Sequence, residues 1–254
     1  MSLRIAFDLD GTLADLDSAL AEISQRLFGS EPEGVAPAEA TDVPGAGAAP
    51  GARAEAGSSG PIPGGAAPAA AAADDRVTPP RVRSLTPRQQ SMVWETARRT
   101  PDFWETLDET EPGIVARLSA LARARRWEVI FLTQRPSSDG ETTQRQSQRW
   151  LQAKGFDLPS VFVVTGSRGR VAASLALDLV VDDRPENCLD VKVDSKARAA
   201  LIVRSGGPAV PANAARLGIE AAPSVGELLD RLERGRDDGP SVLGRIKQMI
   251  TGKP

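Results

Sequence analysis

Short, largely apolar runs alternate with amphipathic helical patterns along this chain, and that alternation constrains the fold more tightly than any other feature. Residues 3–7, 128–132, 161–164, 177–181 and 200–203 are each four or five residues long. Runs of that length suit strands buried on both faces better than helices. Helical patterns lie between them. Residues 15–28 place Leu16, Ala19, Leu20, Ile23 and Leu27 at spacings of three and four, one stripe on a helix. Thr86-Pro87-Arg88 reads as a helix start, with Thr as N-cap and Pro at the first helical position. A further helix is expected from Glu111-Pro112-Gly113 to Arg126, with Ile114, Leu118 and Leu121 on one face. Its Arg123, Arg125 and Arg126 complement the negative end. Helices are also expected over 142–154, 169–175 and 224–233. The pattern predicts an α/β fold, a Rossmann-like parallel sheet with helices on both faces. Polar residues follow three of the strands, at Asp8, at Thr133 and at Asp182-Asp183. Open parallel sheets bind ligands at those carboxyl ends.

Composition narrows the chemistry. The chain has no histidine, which removes Ser-His-Asp and Cys-His catalysis, histidine-ligated zinc and phosphohistidine. Cys188 is the single cysteine, so neither an intrachain disulfide nor a Cys-rich metal site is expected. Carboxylates, hydroxyls, Arg and Lys remain. The 31 basic and 34 acidic residues nearly balance, so stable nucleic-acid binding is not expected. No window reaches about 18 consecutive apolar residues, so no membrane span is expected. The opening MSLRIAFDLDG lacks the apolar stretch of a secretory signal, which leaves a cytoplasmic location as the expectation.

Residues 30–80 hold 16 Ala, 8 Gly and 9 Pro, 33 of 51 positions. With almost no large apolar side chain to repay the entropy of ordering, this tract is expected to be a disordered insert. Removing it leaves about 200 residues, enough for a full core. The tail over 236–254 sets Val242, Ile246, Met249 and Ile250 opposite Arg245, Lys247 and Lys253. A short amphipathic helix there could pack on its own domain, or dock on a partner or a membrane surface.

Asp8-Leu9-Asp10-Gly11-Thr12 is the most informative stretch. Two residues along an extended chain point the same way, so one carboxylate can attack while the other serves as acid and base. Gly11 permits a sharp turn and a close approach to an anion. This stretch resembles the first motif of the haloacid dehalogenase superfamily of phosphohydrolases. Phe131-Leu132-Thr133 resembles the second motif and Val180-Val181-Asp182-Asp183 the fourth, in the same order. The resemblance implies Asp8 as nucleophile and Asp10 as general acid/base. It also implies a phosphate cradle of Gly11, Thr12, Thr133 and Gln134. Mg2+ would be held by Asp8, the backbone carbonyl of Asp10, and Asp182, with Asp183 in support. Oxygen ligands of this kind suit magnesium on chemical grounds as well. The family's dehalogenases lack the second acid, so Asp10 favours phosphate over halide as the group acted on.

The family places a Lys ahead of its fourth motif. Spacing puts Arg168 there, with Arg170 and Lys154 as competing candidates. An arginine can supply a permanent charge and a bidentate fork. The superfamily also inserts a small helical cap after the first strand. The implied division is a core over 1–14 and 111–235, and a cap over 15–29 and 81–110. Within that region Pro101-Asp102-Phe103-Trp104-Glu105-Thr106-Leu107 and Glu111-Pro112-Gly113 resemble the 5'(3')-deoxyribonucleotidase group. So do Thr133-Gln134-Arg135-Pro136, Trp150-Leu151 before Gly155-Phe156, and the run from Asp182 to Asn187. The resemblance implies Phe103 and Trp104 over the phosphate site, offering a face to a nucleobase. Alternatively they anchor the cap to the core, as Trp94 could. Arg135 is expected either on substrate oxygens or one layer out from them.

The function implied is a magnesium-dependent phosphomonoester hydrolase working through an aspartyl phosphate. Its partner would be a small phosphate ester, a nucleoside monophosphate first. Two alternatives stand beside it: a phosphatase acting on nucleic-acid ends or phosphoprotein, and a non-catalytic phosphate-binding protein. Oligomeric state is not legible.

Overall fold

All five apolar runs become strands of a single parallel sheet in the computed structural model, which describes residues 2–29, 80–204 and 214–237. Nearly all of the expected insert and the C-terminal amphipathic helix lie outside the described residues. The strands are β1 (Arg4–Asp8), β2 (Glu128–Thr133), β3 (Ser160–Val163), β4 (Leu179–Asp182), β5 (Arg198–Ile202) and β6 (Ile219–Ala222). Their order is β3-β2-β1-β4-β5-β6. The chain builds outward from β1 in one direction, then returns and builds outward in the other. The crevice at that reversal, above β1 and β4, is where such sheets take ligands. Register sets Asp8 beside Leu132, Phe7 beside Val181 and Thr133 beside Val163, bringing the polar strand ends level.

Eight helices accompany the strands among the described residues: α1 (Leu16–Phe28), α2 (Pro80–Arg83), α3 (Pro87–Arg99), α4 (Ile114–Arg125), α5 (Thr143–Ala153), α6 (Arg168–Ser174), α7 (Pro185–Asp194) and α8 (Val225–Asp237). A 3-10 turn spans Phe103–Glu105. Local chemistry starts several of them where the sequence marks a start. Thr86 and Gln89 form a capping box with Pro at the first position of α3, and Asp15 caps α1 through the Ser18 amide at 3.0 Å.

Both faces of the sheet are covered. Ile5 and Phe7 face a core shared with Leu16 and Leu20 of α1, Val93 and Trp94 of α3, Val115 and Leu118 of α4, and Leu228 of α8. Ala6, Leu132, Val180 and Leu201 face a second core with Ala172 of α6 and Val191 of α7. That double burial explains why the strands read as continuous apolar runs rather than alternating ones. Helices α1, α2 and α3 share the first core and form a small helical layer entered directly after β1.

Two elements have little sequence signature. Helix α7 buries only Cys188 and Val191, leaving Leu189 and Val193 exposed, so its apolar residues trace no stripe. Strand β6 reads Ile-Glu-Ala-Ala, with alanines in place of β-branched residues. Strand β5 begins two residues before its apolar run, and α6 begins at Arg168 because Ser167 caps it through the Arg170 amide.

The outer strands carry a further device. The Val164 amide bonds Thr133, so Val161 faces away from β2, and its carbonyl accepts from Gln144 Nε2 of α5 at 2.8 Å. On the opposite edge, the Val203 amide bonds Ala222, so Ala221 faces outward. Its carbonyl accepts from Arg231 Nη1 of α8, also at 2.8 Å. No described helix is long and apolar enough to cross a membrane.

Candidate active site

The chain turns sharply on leaving β1. The Leu9 carbonyl accepts the amides of Leu13 and Ala14 at 2.8 and 2.7 Å, and the Gly11 amide donates to Ala14 at 2.9 Å. Gly11 adopts φ +82°, and a Cβ there would lie 2.1 Å from Asp183 Oδ2. Only glycine meets both the conformation and the contact. The turn divides the two carboxylates of the motif, sending Asp8 toward β4 and Asp10 toward β2.

Oxygens of Asp8, Asp182 and Asp183 all lie within 4.8 Å of one another. Arg168 reaches into this cluster from the first turn of α6. Its Nη2 donates to Asp8 Oδ1 at 2.9 Å, and its Nε lies 3.9 Å from Asp182 Oδ2. Asp182, completely buried, accepts both Asn187 Nδ2 contacts (3.0 and 2.9 Å) and the Arg184 amide at 2.9 Å. Within the cluster Arg168 Nη1 and Asp183 Oδ1 are buried without a hydrogen-bond partner, as are Thr12 Oγ1 on the turn and Arg135 Nη2 near Asp10.

Crowding like charges away from water has a direct consequence. Burial, then the charge of Asp182, pushes the Asp8 carboxyl well above its ordinary range, and Arg168 only partly opposes this. Burial also raises Asp182, against Arg168, the Arg184 amide and Asn187. Burial and the neighbouring Asp182 push Asp183 up to about 7. A divalent cation would relieve all three groups at once. The donor set fits magnesium: hard carboxylate oxygens, no nitrogen or sulfur ligand, and a buried Asp183 oxygen without a protein partner.

Asp10 occupies different surroundings. Its Oδ2 accepts from Thr133 Oγ1 at 3.2 Å, and Arg135 Nε lies 2.9 Å from each of its oxygens. Thr133 and Thr12 are fully buried, and the Thr12 carbonyl accepts from Arg204 Nη2 at 2.6 Å and Thr110 Oγ1 at 2.9 Å. Gln134 is partly exposed at the end of β2.

Of the three basic candidates, Arg168 is the one that lies in the acid cluster. Arg170 points outward beside Asp194, and Lys154 lies 3.8 Å from Asp108. Phe103 and Trp104 meet edge to face at 5.0 Å between centroids and are 4% and 1% exposed, so neither presents an open face. The Trp104 amide donates to Gln146 Oε1 and its Nε1 to the Pro136 carbonyl, while Trp150 Nε1 donates to Leu107. Sequence reasoning did not single out Asn187, Ser147, Gln146 or Arg204. Asn187 had a readable signal, because Pro185, two residues past the acid pair, marks a helix start that places it in the first turn.

No protein-family model matches the chain, and no curated protein matches it. Solved structures similar to it include a provisionally designated beta-phosphoglucomutase from Thermotoga maritima. It is 15% identical at a TM-score of 0.48, with 91% of this chain and 99% of that chain covered. A hydrolase from Pseudomonas syringae is 14% identical at 0.46, covering 92% and 99%. A haloacid dehalogenase-like family hydrolase from Streptococcus pneumoniae is 13% identical at 0.46, covering 91% and 98%. At these values the likeness carries no functional weight, and the chemistry has to come from the side chains.

Proposed function

We propose that this protein is a divalent-cation-dependent phosphomonoester hydrolase of the haloacid dehalogenase type, acting through an aspartyl phosphate on Asp8. One observation carries the reading. Asp8, Asp182 and Asp183 converge at the reversal of strand order with Arg168 bonded to Asp8, while Asp10 and Thr133 stand together on the other side of the same turn.

The residues divide the work as follows. Asp8 Oδ attacks phosphorus, the ester P–O bond breaks, and the departing oxygen takes a proton from Asp10. Asp10 then removes a proton from the water that attacks the acyl phosphate. The bond to Asp8 breaks, and inorganic phosphate and the free carboxylate remain. Arg168 has Nη1 free while Nη2 holds Asp8, so one guanidinium can steady the nucleophile and meet a phosphate oxygen. Thr12 Oγ1, buried and unpartnered, and Thr133 Oγ1 supply hydroxyl donors beside it. Magnesium held by Asp8, Asp182, Asp183 and the Asp10 carbonyl would supply charge neutralisation for the nucleophile and the transferred group.

Small phosphate esters are the proposed substrates, with nucleoside monophosphates first on the strength of the segment around Phe103 and Trp104. Burial of both rings speaks for holding a base by other groups, or for a non-nucleotide ester. Phosphate release from nucleoside 5'- and 3'-monophosphates, sugar phosphates and an aryl phosphate, with and without magnesium, tests the reading. Magnesium-dependent release that Asp8→Asn abolishes supports it, and preference among the esters assigns the substrate class. No release from any ester would sink it.

A further inference from the structure

Arg135 is among the least accessible charged side chains described, with its side chain 0% exposed. Two of its three guanidinium nitrogens are hydrogen-bonded, and the third, Nη2, makes only an ion-pair contact. Nε lies 2.9 Å from both oxygens of Asp10, Nη2 lies 2.8 Å from Asp10 Oδ1, and Nη1 donates to Ser147 Oγ at 2.9 Å. Two indole rings enclose it, with the guanidinium carbon 4.8 Å from the centroid of Trp104 and 5.8 Å from that of Trp150. Those rings are fixed in turn by the hydrogen bonds to Pro136 and Leu107. Complete burial therefore leaves the arginine no exposed edge for a substrate.

We propose, resting on the hydrolase reading above, that Arg135 is a positioning residue that aims Asp10. The contacts are unequal. Oδ1 accepts from Nε and also lies in ion-pair contact with Nη2, whereas Oδ2 shares Nε and otherwise meets only Thr133 Oγ1. When Thr133 turns its hydroxyl to a phosphate oxygen, a lone pair of Oδ2 is released on the side facing the reacting group. Oδ2 is then the oxygen that carries the proton, to the leaving alcohol in the first half-reaction and from water in the second. The tryptophan cage acts as a rigid socket, since a freely turning guanidinium would let the carboxylate rotate and present Oδ1 as often as Oδ2.

This role makes a prediction that mere support of the fold does not. Protonation of the departing oxygen matters for a strongly basic alkoxide and hardly at all for an acidic phenol. The experiment measures kcat/KM, which reports steps through departure of the alcohol, over esters ranging from dinitrophenyl to alkyl phosphate. It uses the full chain as wild type, Arg135→Met, Arg135→Lys and Trp104→Phe. We expect Arg135→Met to lose about 100-fold on the alkyl ester, within the usual range for general acid catalysis, and only a few-fold on the dinitrophenyl ester. Arg135→Lys should recover part of the alkyl loss, and Trp104→Phe should show the same slope more weakly. Equal losses on every ester, in variants that melt as the wild type does, would overturn the proposal and leave Arg135 as a structural ion pair. If Arg135→Met does not fold, the slopes of the other two variants decide in the same way. Wild-type protein inactive on all esters would instead defeat the hydrolase reading, and this inference with it.

Discussion

Two buried arginine–aspartate pairs flank the turn after β1, and they are finished differently. Arg135 and Asp10 are closed in: both carboxylate oxygens are taken, a serine holds Nη1 of the guanidinium, and indoles cover it. Arg168 and Asp8 are left open: two further carboxylates crowd the aspartate, and one of their oxygens, Asp183 Oδ1, has no partner. Buried polar groups in a stable fold ordinarily find partners, and an isolated buried charge is expensive. The closed pair is built to hold a geometry. On the proposed function, the open pair accepts an unfavourable metal-free state in exchange for readiness to bind a cation and an anion.

Breaking the open pair should have the largest effects. Asp8→Asn should lower phosphate release by about 10⁴-fold or more, as loss of a nucleophile does. The same variant should melt higher than wild type without metal at neutral pH, because one of three crowded carboxylates is gone. Steady-state kinetics paired with a thermal melt checks both halves, and a variant that is active would erase the distinction between the pairs. Arg168→Met comes next, with a loss of roughly 10²–10³ in kcat. Metal-free stability should fall by about 3 kcal/mol, since the acids then lose the cation in contact with Asp8 and Asp182. Its rate loss should be uniform across leaving groups, unlike that of Arg135→Met.

Asn187→Ala removes the side chain that holds both oxygens of Asp182. Magnesium affinity should weaken about 10–100-fold with the fold intact, as read by calorimetric titration. The smallest effect is that of pH on the metal-free protein. Below pH ~4 the Asp183 carboxyl is protonated folded or unfolded, given an ordinary value near 4. As pH rises toward 7 the unfolded chain releases that proton, while the folded protein, with Asp183 near 7, still holds it. Stability contributed by this group therefore falls across that window and levels off above it. Metal-free melting temperature should drop between pH ~4.5 and ~7, and magnesium should restore it more at the upper end than at the lower. A flat metal-free profile would show that the open pair is not under strain.

Much of this was legible in the chain. The apolar runs gave five strands, Thr86-Pro87 marked the start of α3, and Asp8, Thr133 and Asp182 stood after strands that proved to be neighbours. What the sequence hid was side-chain direction. Nothing in Thr-Gln-Arg-Pro says that Arg135 folds back beneath Asp10. That outcome is set by Trp104 and Trp150, which lie on separate segments and meet only in three dimensions. For Phe103 and Trp104 the sequence left two readings open, a face for a base or an anchor in the core, and packing against α5 buries them as the second expects. Helix α7 and strand β6 were missed for a simpler reason. Their buried residues are few and small, so no periodicity announces them.

The glutamine on α5 and the arginine on α8 that occupy outward carbonyls of β3 and β6 carry one more consequence. A six-stranded sheet exposes two rails onto which a stray strand, from a neighbouring molecule or from a partly synthesised chain, can zip. Here each rail is interrupted by a side chain from the helix packed alongside it, so an intruder must first dislodge a folded helix residue. Growth of the sheet into a larger aggregate is thereby coupled to local unfolding of the molecule, and molecules that stay folded are poor templates for one another.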